Sequence, residues 1–293
     1  MLLPLQQDAP LLHDIASVPS DQNRLDLWWL GQSGFLIKWA DHSFLFDPYL
    51  SDSLTKKYAT TDKPHVRMTA RCLDPAHLTG LTLVTASHLH TDHLDAETLI
   101  PIAHSHPGLP LFLPGPIIPD AQARLGDAPF TYLPLTHGQR HQEKDWSIEG
   151  VAAAHNDLKT DDQGRHHYIG FILRCGPFTL YHSGDTLWHD GLIETLRPFG
   201  CDLMLLPING NKPERRVAGN LNGTEAAALA KACRARLVVP CHYDMFEFNT
   251  VTPEEFQHAC ARLHQPHRIL QNGEKLTLFR QTDASVVAPC LPR

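Results

Sequence analysis

The sequence predicts an α/β chain with helices packed outside paired sheets. Two patterns point there: short apolar runs of strand length recur along the chain, and amphipathic stretches of helical period interrupt them. A third is the lack of any repeat, low-complexity tract or linker across the 293 residues, which predicts a single domain over 1–293 with its core at about 25–280.

In chain order, 25–30 and 35–39 read as two strands joined by the turn Gly31-Gln32-Ser33-Gly34, and 43–46 as a third closed by Asp47-Pro48. Residues 49–78 are polar and lack periodicity, so they form a candidate loop over a site. A buried strand at 81–86 follows, and Asp95 stands where a helix through Ala103 needs its N-cap. Further strands are expected at 110–113, 130–135, 146–154, 168–174, 178–182, 203–206, 237–240, 268–271 and 275–279. Helices are expected at 119–124, 187–196, 223–234 and 253–263. The third is supported by Thr224 and Glu225 ahead of an Ala-rich run.

An apolar content of 42% and a charged content of 19% are ordinary for a globular protein. A formal charge of −7 argues against a nucleic-acid partner that needs a broad basic face. The seven cysteines form no C-x-x-C pair, and reduced thiols predict a cytoplasmic location. Residues 1–20 hold no Lys or Arg, unlike a secretory leader, and no apolar run is long enough to make a membrane partner.

The chemistry concentrates at His88-Leu89-His90-Thr91-Asp92-His93, four ligand-type side chains within six residues. Leaving a strand, His88 and His90 can point one way while Asp92 and His93 begin to curl around a second point. Imidazole and carboxylate without thiolate suit Zn, Mn or Fe as divalent ions. Four ligands are too many for one catalytic ion with an open position, so two adjacent ions are implied. Later strand ends offer His155, Asp185 and His242. Each alone reads as a solvent-facing or backbone-bonded residue, but their order and strand-end placement after the cluster raise all three as candidates.

The H-x-H-x-D-H string, the downstream His, the Gly-Asp turn and the last His together resemble the metallo-β-lactamase superfamily. That resemblance implies an αββα sandwich with a two-metal site along one edge. More narrowly, Trp29-Leu30-Gly31-Gln32-Ser33-Gly34-Phe35, Phe46-Asp47-Pro48-Tyr49 and His93-Leu94-Asp95 resemble the ascorbate-6-phosphate lactonase branch. So do Tyr181-His182-Ser183-Gly184-Asp185, Pro207-Ile208-Asn209-Gly210 and Pro240-Cys241-His242-Tyr243-Asp244. Carried over by position, His88, His90 and His155 would hold the first ion and Asp92, His93 and His242 the second. Asp185 would bridge them. Position 155 is a departure from that branch, since the lactonase carries an acidic residue there.

The implied activity is hydrolysis of a sugar lactone or sugar-phosphate lactone, with Asp92 and Asp185 as catalytic residues. A phosphodiesterase using the same ligands is the alternative, and an apparently complete ligand set argues against a non-catalytic binding protein. A small-molecule substrate, anionic substrates included, would draw on Lys56, Lys57, Arg67 and Arg71 of the long loop and on Lys212, Arg215 and Arg216. Tyr58, Asn156, Asn220 and Tyr243 complete the candidate substrate contacts, with the segment 209–222 and the loop 49–78 setting specificity. A homo-oligomer is expected from the resemblance alone.

Overall fold

The computed structural model describes residues 1–280, so Cys290 lies outside the described part. Among the described residues, strands β1 (Arg24–Gly31), β2 (Gly34–Trp39), β3 (His42–Phe46), β4 (Leu83–Thr85), β5 (Pro110–Pro114), β6 (Thr131–Leu135) and β13 (Lys275–Phe279) form one sheet in the order β13-β1-β2-β3-β4-β5-β6. Strands β7 (Arg140–Gln142), β8 (Trp146–Ala152), β9 (Ile169–Cys175), β10 (Phe178–His182), β11 (Leu203–Pro207) and β12 (Leu237–Cys241) form the second, in the order β12-β11-β10-β9-β8-β7. The helices are α1 (Asp8–Ala16), α2 (Ser53–Tyr58), α3 (Ala96–Ser105), α4 (Ile118–Leu125), α5 (Leu192–Leu196), α6 (Gly223–Ala232) and α7 (Glu254–Leu263).

The two-residue period of the first strands builds the layers. Leu25, Leu27 and Trp29 of β1 join Phe35 and Ile37 of β2 in a core shared with Phe171, Leu173 and Leu180 of the second sheet. The intervening Trp28, Leu30 and Leu36 turn to the other face, where Leu99 and Ile102 of α3 and Leu125 of α4 cover them. On the far side α6 packs on β11 and β12, with α7 against α6. This is the expected αββα sandwich, with apolar runs buried on both faces because each sheet has a layer on either side.

The register decides where the site forms. β10, β11 and β12 run parallel, and so do β3, β4, β5 and β6. The ends of β4, β8, β10 and β12 deliver the segments that carry His88, His155, Asp185 and His242.

Several expectations are corrected. Residues 268–271 are not a strand: Arg268 N reaches Val238 O, but Gln271 N turns to Glu274 Oε2 at 2.8 Å and the ladder stops. The helix expected at 187–196 shrinks to α5, because Leu187 bridges to Ala154 and Gly191 sits at φ +81°. The loop at 49–78 is less irregular than its polarity suggests. It holds α2 and a turn of 3-10 helix at Pro75–His77, and Thr55 Oγ1 pins it by donating to His65 O at 2.7 Å. Asp95 precedes α3 as expected, but its carboxylate accepts from Thr98 Oγ1 and Ser53 Oγ and not from the helix backbone. Helix α6 begins with Asn222 and Glu225 capping each other's backbone N–H groups, one residue pair away from Thr224. Among the described residues no helix is long and apolar enough to cross a membrane.

Candidate metal centre

The cluster leaves β4 in a tight turn in which His93 N and Leu94 N both donate to His90 O, so the chain curls at once and aims four side chains inward. Gly184 makes the turn that exposes Asp185. It sits at φ +58°, and a Cβ there would lie 2.5 Å from the Ser87 side chain, so only glycine fits. Gln32, Asp47, Asn156 and His242 also take left-handed backbone, at φ of +50°, +38°, +82° and +64°. His242 is held there by its N–H, which donates to Gln32 O at 3.0 Å.

These turns bring all seven expected ligands together. Donor atoms of His88, His90 and His155 lie within 4.8 Å of one another, as do those of Asp92, His93 and His242. Asp185 sits between the groups: Oδ1 is 3.3 Å from His93 Nε2, while Oδ2 is 3.3 Å from His242 Nε2 and 3.7 Å from His155 Nε2. His90 Nδ1 and His155 Nε2 face each other at 3.1 Å.

Burial leaves this set short of partners. His88 Nε2, His93 Nε2 and Asp185 Oδ1 are buried with no hydrogen-bond partner. Orphaned polar atoms of this kind are costly unless something completes them. Nitrogen and carboxylate oxygen converging from several strand ends suit a divalent cation, so the residues present fit a metal.

Residues behind the ligands orient them. Asp47 Oδ2 accepts from His93 Nδ1 at 2.8 Å, while Asp47 Oδ1 accepts from Thr85 Oγ1 and Ser87 N. His155 Nδ1 donates to Gly219 O at 3.0 Å. Both bonds turn Nε2 toward the centre. Gln32 Nε2 donates to Asp92 Oδ2 at 2.8 Å and lies 3.0 Å from His242 Nε2.

The electrostatics agree. Burial, reinforced by the neighbouring imidazoles, holds His88 well below its usual range, and burial takes His155 down to about 4. Burial would also lower His93, but Asp185 and Asp92 outweigh it and hold that ring well above its usual range. Burial would raise Asp185, yet His242 and His93 keep it well below the ordinary carboxylate range. Asp92 is lowered in the same way, against its burial, by His93 and His242. The carboxylates thus stay ionised and draw positive charge to this point.

His90, Asp92, His155, Asp185 and His242 form the floor of a cleft of about 600 Å³. Among the substrate contacts expected from the sequence, Tyr58 lines it, while Lys56, Arg67, Asn156, Arg215, Asn220 and Tyr243 do not. Arg67 is buried and donates to Thr69 O and Ser51 O, and Arg215 is buried and donates to Asn209 O and Thr250 O. Asn220 donates to Asn209 Oδ1, and Tyr243 donates its hydroxyl to Leu270 O. Lys56 turns away to Glu97 at 2.8 Å, and Asn156 Oδ1 accepts from Gly219 N. Arg67, Arg215, Asn220 and Tyr243 are thus engaged inside the fold, and Lys56 in a surface ion pair.

Lys57 and Arg216, also named from the sequence, do line the cleft, as do the unanticipated Lys159, Tyr168, Phe246 and Phe248. The two phenylalanines follow His242 by four and six residues, and that proximity to a ligand at a strand end was the available signal. Gln32 and Asp47 lay within the strings singled out but carried no role.

Comparison with known proteins follows the same lines. The profile of a family described as the beta-lactamase superfamily domain matches residues 26–242. A UPF0173 metal-dependent hydrolase of Opitutus terrae is 29% identical, covering 85% of this chain and 98% of its own. One of Salinibacter ruber is 28% identical over 87% of this chain and 100% of its own. A novel metallo hydrolase from the archaeon Ignicoccus hospitalis superposes with a TM-score of 0.64 at 21% identity, over 88% of this chain and 100% of that one. The isothiocyanate hydrolase from Delia radicum gut bacteria gives 0.67 at 18% identity, over 86% and 98%. At such identities the solved structures speak for the fold.

Proposed function

The chain belongs to the beta-lactamase superfamily, and on that premise we propose that it is a metal-dependent hydrolase of carboxylic esters that opens lactones. The observation that carries this reading is the Asp185 carboxylate set between two ligand groups, with the buried and unpartnered His88 Nε2 and His93 Nε2 beside it. His88, His90 and His155 would hold one divalent ion and Asp92, His93 and His242 a second, Zn or Mn by ligand type, with Asp185 shared. When bound, such ions supply a water activated near neutral pH and polarise the carbonyl it attacks.

The remaining work falls to the chain's own groups. Asp92, which opens onto the cleft, is kept ionised by His93 and His242 and oriented by Gln32. It accepts the proton released as the nucleophile attacks, and returns it to the ring oxygen as the C–O bond breaks, leaving a hydroxyl and a carboxylic acid that ionises by releasing its proton to solvent. His155, fixed by Gly219 O, and Asp185 hold the floor in place.

For the sugar-phosphate form of this reading the cleft offers Lys57, Lys159 and Arg216, whereas Arg67 and Arg215 are committed to backbone carbonyls. We further propose one hydrolase domain and a cytoplasmic location, the latter supported by the six cysteines among the described residues, all free and buried. The test is a screen of lactones and bis(p-nitrophenyl) phosphate with Mn²⁺ or Zn²⁺ supplied. Metal-dependent lactone turnover that is lost in Asp185→Ala is expected, and turnover confined to the phosphodiester would overturn the proposal.

A further inference from the structure

One side of the cleft is aromatic, and no step of hydrolysis uses it. Tyr58 stacks on His65 with centroids 4.1 Å apart and planes 18° from parallel. His65 meets Phe248 edge-on at 4.4 Å and Phe246 at 5.3 Å. Leu54 lines the cleft beside them. Two remote segments build this wall, α2 with the loop after it and the turn that follows His242. Arg67 and Phe246 bridge them by backbone pairing.

The wall is anchored. Phe246 and Leu54 belong to a small apolar core with Tyr49 and Met245, separate from the two main clusters. Burial lowers His65, so its ring presents a neutral face to the cleft. Arg216, the arginine of the 209–222 segment that reaches the cleft, is paired with Asp62 at 2.8 Å.

We propose that this wall binds the non-reacting part of the substrate, and that the part laid on it is an apolar alkyl or aryl group. The proposal rests on the lactonase reading of the metal centre. Sugar hydroxyls laid on Tyr58, His65, Phe246 and Phe248 would lose water for few partners, whereas an alkyl or aryl group would gain by leaving water. A flat ring also matches the edge and face geometry of the wall.

The test uses metal-loaded protein and a series of γ-lactones with lengthening alkyl chains and a phenyl substituent, set against gluconolactone and its 6-phosphate. The expected result is a rise in kcat/KM of about fourfold per added methylene until the cleft fills. Phe248→Ala and Tyr58→Ala flatten that rise, and Phe248→Leu, which keeps apolar surface, preserves most of it. Calorimetric binding of a phenylalkanoate series reads the same subsite without turnover, and tightening with length in the wild type but not in Phe248→Ala is expected. A flat series in both measurements, or a preference for the sugar phosphate, overturns the proposal. Failure of the lactonase reading looks different: no lactone is turned over, yet the phenylalkanoates still bind in order of length.

Discussion

The floor and the walls of the cleft are built by different rules. On the floor, the candidate ligands sit at strand ends or in the turn that follows β4, and some are held by a second residue, as Asp47 holds His93 and Gly219 O holds His155. The walls come from connecting segments, and there a charged side chain near the cleft in sequence is as often a strut as a contact. Arg67 and Arg215 are struts, each satisfying backbone carbonyls of the segment it braces. Proximity along the chain predicts the floor well and the walls poorly.

The sharpest way to break this contrast is at the floor. Asp185→Ala removes the carboxylate common to both ligand groups, and turnover should fall to background while bound metal per chain drops. Activity surviving with metal retained would show that Asp185 is not shared. Asp47→Asn touches no substrate but weakens the hold on His93, and a loss of about 10–100-fold in metal affinity or activity is expected by metal titration and kinetics. For the walls, Arg67→Met and Arg215→Met should each cost about 2 kcal/mol of stability by leaving buried carbonyls unpaired, with kcat/KM of the folded protein nearly unchanged. A raised KM at unchanged melting temperature would make either arginine a substrate contact after all. The smallest effect belongs to Lys56→Ala, since the exposed pair with Glu97 faces water, and neither melting temperature nor kinetics should move measurably.

The legible parts of the sequence were those where short-range pattern carries the physics. The strands expected at 178–182 and 275–279 coincide with β10 and β13, because period and flanking turns mark a strand both where it is mostly buried, as in β10, and where it is a half-exposed edge, as in β13. The His88 to His93 string stood out as a candidate ligand cluster, because so many imidazoles and carboxylates serve little else at that density, and the turn after β4 brings them together. The segment 268–271 misled, since its apolar content packs Leu270 into the core without any strand to pair with beyond His267. The role of Arg67 was hidden for another reason: whether a guanidinium points to a ligand or to a backbone carbonyl depends on the partner segment, here Ser51 and Thr69. The aromatic wall was hidden because α2 and the turn after His242 meet only in three dimensions.

The left-handed residues around the centre have a consequence for engineering. Gln32, Asp47, Asn156 and His242 each hold a backbone conformation that favours glycine, and each also supplies a side chain to the site or to its supports. Such positions cost on the order of 1 kcal/mol apiece. The usual remedy for that strain, glycine, would delete the group the site depends on. A thermostabilised variant must therefore draw its gains from helices and surface far from the cleft, and accept the residual strain around its floor as fixed.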